Sequence, residues 1–181
     1  MRFLETFIEG VYSIEPHRFE DERGFFAPSF SAKEFAARGL CSTFLETNIS
    51  YSKNRGTVRG MHYQAAPHGQ AKLVRCTRGT VFDVAVDLRP ASPTFKQWIG
   101  VELSEENRRM LYLPADCAHG YQTLVDDTEV FYMVSDVYVP ESGRGFRWND
   151  PAFGIEWPSV EILNINKRDR EYPDFELKRI G

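Results

Sequence analysis

The run Arg59-Gly60-Met61-His62-Tyr63-Gln64, with His68, Gln70 and Lys72 after it, sets a permanent cation, an imidazole and an ammonium close together in sequence. The spacing predicts that they sit on neighbouring strands of a hairpin. A second cluster, Ala118-His119-Gly120-Tyr121, follows a turn signal at Pro114 to Asp116, and Tyr132 comes one strand later in Phe131-Tyr132-Met133. Asp169 stands late in the chain between Arg168 and Arg170. Proton abstraction beside a ketone needs a base near neutral pKa, an acid on the opposite face and a cation for the enolate oxygen. His62, Tyr132 and Lys72 can fill those three roles.

Other chemistries fit this inventory less well. His62, His68 and His119 could offer imidazoles to a metal, but the close H-x-H pair of such sites is absent. No G-x-S-x-G elbow marks a hydrolase, and neither G-x-G-x-x-G nor a P-loop marks nucleotide cofactor chemistry. Each residue also has a plainer reading when taken alone. His62 beside aromatics is more often structural, Lys72 a solvated strand charge and Tyr132 a core aromatic. His119 could close a turn, and Asp169 could belong to a surface charge run.

The elements that must position these groups are short. Length and composition, 181 residues with 42% hydrophobic and 14% aromatic, predict one domain spanning residues 1–181 with a sizeable core. No repeat, linker or low-complexity tract divides it. Ser31 to Arg38 reads as a helix capped by Ser31 and stopped by Gly39. Strand signals cover Lys72 to Thr77, Val81 to Leu88, Lys96 to Leu103, Arg109 to Leu113 and Glu129 to Val139. In Val81 to Leu88 the alternation sets Val81, Asp83, Ala85 and Asp87 on one face and Phe82, Val84, Val86 and Leu88 on the other, one core and one able to line a polar cavity. Closely spaced strands with little helix between them argue for a mostly β sandwich or barrel, with the proline-bearing segment after Asn149 wrapping it as loops and short helices.

A net charge of -4 supplies no global field for nucleic acid or anionic membrane, so neither is expected as a partner. The three cysteines, Cys41, Cys76 and Cys117, lack C-x-x-C spacing and read as buried fillers in a reducing cytoplasm. No apolar run suggests a signal peptide or a membrane span.

Over nearly its whole length the chain resembles the dTDP-4-dehydrorhamnose 3,5-epimerase family. The matching stretches include Asp21-Glu22-Arg23-Gly24-Phe25-Phe26, Gly56 to Gln64, Ala71 to Arg75, Val81 to Arg89, Ser92-Pro93-Thr94-Phe95, Ala118-His119-Gly120, Trp148-Asn149-Asp150-Pro151 and Ile155-Glu156-Trp157-Pro158. The resemblance implies a cupin-like jelly-roll β-barrel with a few short helices, and inversion at C3, C5 or both of a nucleotide-linked 4-keto-6-deoxyhexose. It implies His62 as general base with Asp169 as its partner, Lys72 on the enolate oxygen with His119 nearby, and Tyr132 as the acid on the opposite face. It further implies Arg23 and Arg59 on the diphosphate, Asn48, Phe26 and Arg168 on the substrate, and Tyr138 stacked on the base. No metal or organic cofactor is implied, and a homodimer completes the site through strand exchange.

The departures fall in the substrate region. Pro28 stands where the family usually has Glu, Glu46 where it has Gln, Gly143 where many members have Glu and Arg168 where Lys is usual. The loop Ser50 to Arg55 is about one residue longer than in many members. These differences raise a CDP-linked 4-keto sugar as an alternative substrate. A single-centre epimerase, a ketoisomerase and a non-catalytic sugar-nucleotide binder are the competing functions.

Overall fold

Residues 1–158 and 164–176 are described by a computed structural model of the chain. The β-branched and aromatic runs pair into two antiparallel sheets packed face to face, a cupin-like jelly roll in the form of a two-sheet sandwich. One sheet has the order β1 (Arg2–Glu5), β2 (Tyr12–Glu15), β10 (Met110–Leu113), β7 (Lys72–Arg78), β12 (Thr128–Val134) and β5 (Glu46–Ser52). The other runs β13 (Gly143–Gly145), β6 (Val58–Gln64), β11 (Cys117–Thr123), β8 (Thr80–Asp87) and β9 (Trp98–Ser104). A separate hairpin, β3 (Phe19–Asp21) and β4 (Gly24–Phe26), is exposed along its length.

Strand alternation sorts the core into three layers. Val74 and Cys76 of β7, Leu111 and Leu113 of β10 and Val130 of β12 meet Val81, Ala85, Leu103 and Tyr121 between the sheets. Behind the five-stranded sheet, Met61, Val84, Val86 and Leu88 pack against Phe146 and Phe153. Behind the six-stranded sheet, Leu73, Met110 and Tyr112 pack against Phe35. Phe35 comes from α1 (Ala32–Ala36), whose Ser31 cap accepts from the Glu34 amide, and Gly39 with φ +70° follows its last turn. The helix therefore forms as its residues predict, but two positions shorter.

Several sequence expectations are corrected. The strands carrying His62 and Lys72 are not a hairpin: β6 and β7 belong to different sheets, and the two side chains meet at the cleft between them. Their link crosses the sandwich through Ala66-Pro67, where proline has no N–H for a ladder. Both faces of β8 are buried, because Val81 and Ala85 join the inter-sheet core while the other face packs outward on Phe146 and Phe153. The strand expected from Lys96 starts at Trp98, since Lys96 adopts φ +67° in a turn. The strand expected to reach Val139 stops at Val134; beyond it the buried Gln64 amide donates to the Val137 carbonyl and accepts from the Val139 N–H. Cys76 and Cys117 are buried and burial pushes both thiols up to about 12, whereas Cys41 is only half-buried.

The loop after β8 is organised by one buried carboxylate. Asp87 accepts from Arg89 Nε (2.8 Å) and Nη2 (3.0 Å), from Ser92 Oγ (2.6 Å) and from Thr94 Oγ1 (2.7 Å). Burial alone would raise this carboxyl, but the donors from Arg89, Ser92 and Thr94 win and hold it down to about 2. Because the folded value is depressed, the stabilisation is complete above the ordinary carboxylate range and is lost as pH falls through that range toward about 2. Asp87→Ala should cost about 3 kcal/mol in urea unfolding near neutral pH, because it strands the Arg89 guanidinium and two hydroxyls. A loss below about 1 kcal/mol would show that the loop does not depend on this carboxylate.

Candidate active site

The site begins with two glycines. β6 and β11 approach so closely that a Cβ on Gly60 would lie 2.5 Å from the Gly120 Cα, and Gly60 has φ +129°, a conformation that other residues adopt only with strain. This approach brings His62 and His119 into direct cross-strand register. Behind β6, the Val58 N–H donates to the Asn164 carbonyl and draws the late chain segment against the strand. Asn166 then caps α2 (Lys167–Glu171), accepting from the Asp169 amide at 2.7 Å.

That cap turns Asp169 inward, where its side chain is 1% exposed. One carboxylate oxygen meets His62 Nε2 at 2.7 Å and the other accepts from the Gly60 N–H at 3.1 Å. Burial raises the Asp169 carboxyl, but hydrogen bonding and attraction to His62, with the Gly60 and Asn166 contacts, outweigh burial and leave it below its ordinary value. With Nε2 turned to the carboxylate, Nδ1 is the imidazole atom left for the cleft.

Tyr132 and Asn48 stand opposite on the other sheet, paired across β12 and β5. Burial raises the Tyr132 phenol, with Arg59 opposing and Glu46 adding to the rise. Lys72, at the start of β7, is buried, and desolvation lowers its ammonium to about 8 against the pull of Asp83. His119 Nε2 lies 2.8 Å from Asp83 Oδ1, and both residues are buried, so the cleft contains a second imidazole–carboxylate pair. Arg59 spans from β6 to the Tyr51 carbonyl of β5 at 2.9 Å, and Tyr121 Oη donates to Ser50 Oγ at 2.9 Å, tying the two walls together.

The cleft has two connected compartments, both bordered by His62, Lys72 and Tyr132. The inner one, about 160 Å³, reaches Arg59, His119, Tyr121 and Asp169. The outer one, about 350 Å³, adds Glu46, Asn48, Tyr138, Arg144 and Arg168. Arg168 donates to Tyr172 Oη at 2.7 Å and lies 3.5 Å from Tyr138 Oη, so the guanidinium and the two aromatics form one outer wall.

Nine of the eleven residues singled out in the sequence thus border this cleft: His62, Lys72, Tyr132, Asp169, Asn48, Arg59, His119, Tyr138 and Arg168. Arg23 and Phe26 do not. Arg23 sits at the tip of the β3–β4 hairpin, paired with Asp21 and 83% exposed, and Phe26 is 70% exposed. Sequence reasoning left several site residues without a role. Asp83 was visible only as a polar position on an apolar strand, a signal that by itself does not distinguish site from core. Gln70 stood in the first cluster without a role, and Asn166, Tyr172 and Arg144 carried no motif.

The comparisons with known proteins agree with this geometry. The sequence profile described as dTDP-4-dehydrorhamnose 3,5-epimerase matches residues 5–176. The dTDP-4-dehydrorhamnose 3,5-epimerase of Sinorhizobium fredii is 44% identical over 173 residues, covering 96% of this chain and 89% of that protein. The dTDP-4-dehydrorhamnose 3-epimerase of Streptomyces niveus is 40% identical over 172 residues, covering 94% and 82%. The crystal structure of the Bacillus anthracis dTDP-4-dehydrorhamnose 3,5-epimerase with TDP and pyrophosphate bound superposes with a TM-score of 0.92 at 40% identity, covering 96% of this chain and 99% of that one. With an imidazole–carboxylate pair, a buried ammonium and a phenol in its jelly-roll cleft, and this similarity throughout its length, the chain belongs to the dTDP-4-dehydrorhamnose 3,5-epimerase family of isomerases.

Proposed function

We propose that this protein inverts C3 and C5 of a nucleotide-linked 4-keto-6-deoxyhexose, taking dTDP-4-dehydro-6-deoxyglucose to dTDP-4-dehydrorhamnose. The observation that carries the reading is the placement of His62 and Tyr132 on opposite sheets, with Lys72 bordering the space between them. Inversion at carbon needs a proton removed from one face and another delivered to the opposite face. A hairpin could not supply that; two facing sheets do.

In this reading His62 Nδ1 takes the proton beside the C4 ketone, and the carbon–hydrogen bonding pair becomes the enolate π bond as the carbonyl pair moves to oxygen. Asp169 stabilises the imidazolium so formed and fixes its tautomer. Lys72, with His119 held by Asp83, binds the enolate oxygen in a largely water-excluded recess, where a preorganised cation is worth far more than in water. Tyr132 Oη then gives its proton to the other face of the carbon, and solvent resets both groups. C3 and C5 both flank the ketone, so one constellation serves both after the ring shifts. These steps use side chains alone, with no cofactor.

Arg59 and Arg168 would take the diphosphate, Asn48 the sugar nucleotide and Tyr138 the face of the base. Arg23 and Phe26 would serve the cleft of a second copy in a homodimer. That assignment is supported by the exposed Phe19, Phe25 and Phe26 of the hairpin, and by the exposed Ile49 on edge strand β5 and Leu45 just before it. Three free cysteines suit a cytoplasmic setting. Among the described residues no helix is long and apolar enough to cross a membrane. A single-centre reading is supported by the similarity to the Streptomyces niveus 3-epimerase and to the 3'-monoepimerase of Streptomyces bikiniensis.

In deuterium oxide, dTDP-4-dehydro-6-deoxyglucose should exchange at both C3 and C5 by NMR, and His62→Ala should abolish both. Exchange at one carbon would make the enzyme a single-centre epimerase, and none would favour the silent binder. The lowered Lys72 value adds a second expectation, because deprotonation removes the charge that the enolate needs. The kcat/KM profile should fall as pH rises through about 8. In Lys72→Arg the cation does not titrate in this range, so whatever activity remains should lose that alkaline fall. An unchanged limb in the variant would remove Lys72 from the role.

A further inference from the structure

Arg168 is exposed, yet its guanidinium has a defined place at the rim of the cleft. Its Nε donates to Tyr172 Oη at 2.7 Å, and its central carbon lies over the Tyr172 ring, 5.5 Å from the centroid. Nη1 lies 3.5 Å from Tyr138 Oη. Among the described residues these side-chain partners are phenols and not carboxylates, so the cation is oriented without being neutralised.

Tyr172 is itself held. It follows the last turn of α2, and its ring packs on Gly145, where a Cβ would stand 2.6 Å from the ring's Cε2 and Cζ. Gly145 pairs with His62 across β13 and β6, and the same ring stands edge-on to the imidazole with centroids 6.1 Å apart. The hydroxyl therefore projects from a ring fixed by a strand and a helix end. Gly143, also on β13, keeps the other side of the guanidinium open: a Cβ there would lie 3.4 Å from Arg168 Nη2 and 3.4 Å from Tyr138 Oη. The glutamate that many members of the family have at this position would reach a guanidinium so close and pair with it.

We propose that Tyr172 is a positioning residue for substrate binding, its hydroxyl engaging Arg168 Nε so that the terminal nitrogens of the guanidinium are presented to the bound anion. This rests on the sugar-nucleotide reading above. The lysine usual in the family at position 168 ends in a point charge with rotatable donors and needs no such partner. An arginine carries a planar fork that matches phosphate oxygens only when its plane is set. A free surface arginine also loses rotamer freedom when it binds, and one already held loses less. Arg168, Tyr172 and Gly143 thus act as a set: the phenol aims the fork, and the glycine leaves it unpaired.

The test is steady-state epimerisation of dTDP-4-dehydro-6-deoxyglucose by the wild-type protein, Tyr172→Phe, Arg168→Lys and the double variant. Tyr172→Phe keeps the ring against Gly145 and His62 and removes only the hydroxyl. The proposal expects KM to rise about five- to tenfold in Tyr172→Phe with kcat changed less than about twofold, and the same substitution in the Arg168→Lys background to move KM less than about twofold. A KM within about twofold of wild type in Tyr172→Phe overturns it. An equal rise in both backgrounds also overturns it, because the hydroxyl would then act through something other than Arg168. A fall in kcat of more than about twofold overturns it too, since the effect would then lie at His62. All three results leave the epimerase reading intact, whereas absence of turnover by the wild-type protein overturns that reading and this proposal with it.

Discussion

The site depends on one buried carboxylate held behind an imidazole. Asp169 is almost wholly removed from water, a costly state for an ionised group unless donors surround it. The donors come from distant parts of the chain: His62 and the Gly60 amide from β6, and its own helix start through Asn166. Gly60 serves twice, since its missing side chain lets β6 meet β11 and its N–H helps hold the carboxylate. The close crossing of two strands, the capped turn of a five-residue helix and the orientation of the His62 imidazole are therefore one arrangement.

The sandwich supplies what a single sheet cannot. Period-two alternation sends every second side chain of β7 and β12 inward, where Val74, Cys76 and Val130 join the core, and it sends inward side chains of β5 and β6 toward the cleft. At the cleft the same inward positions become Asn48, Lys72, Tyr132 and His62. Function thus occupies places that packing would otherwise fill, and the protein meets the cost locally. Lys72 is desolvated and attracted to Asp83, and Asp83 in turn orients His119. The desolvation that strains the ammonium is also what would make it an effective partner for a developing oxyanion.

Much of this was legible in the residues. The β-rich class and the helix capped by Ser31 follow from local patterns that survive in the fold, and His62, Lys72 and Tyr132, whose residue types suggested a common chemistry without showing that they converge, border one cleft. What failed were relations between elements. Nothing in the link between Gln64 and Lys72 says that it crosses to the opposite sheet, because turn residues such as Pro67 and Gly69 suit a hairpin loop and a crossover alike. Strand ends were misplaced where a side chain replaced the ladder, as the Gln64 amide does beyond Val134. Asp83 was hidden because its meaning depends on a partner on a different strand. Arg23 and Phe26 rest on the family resemblance alone, since a single chain holds them on an exposed hairpin away from its own cleft.

The central claim is that removal and delivery of the proton occur from opposite walls, and Tyr132→Phe separates the two most directly. In deuterium oxide this variant should still exchange the substrate protons, because His62 can return a deuteron to the face from which it took the proton, while formation of inverted product falls by at least about a hundredfold. Loss of exchange and inversion in equal measure would contradict the account, since it would mean that the phenol takes part in removing the proton and that the two walls do not divide the work.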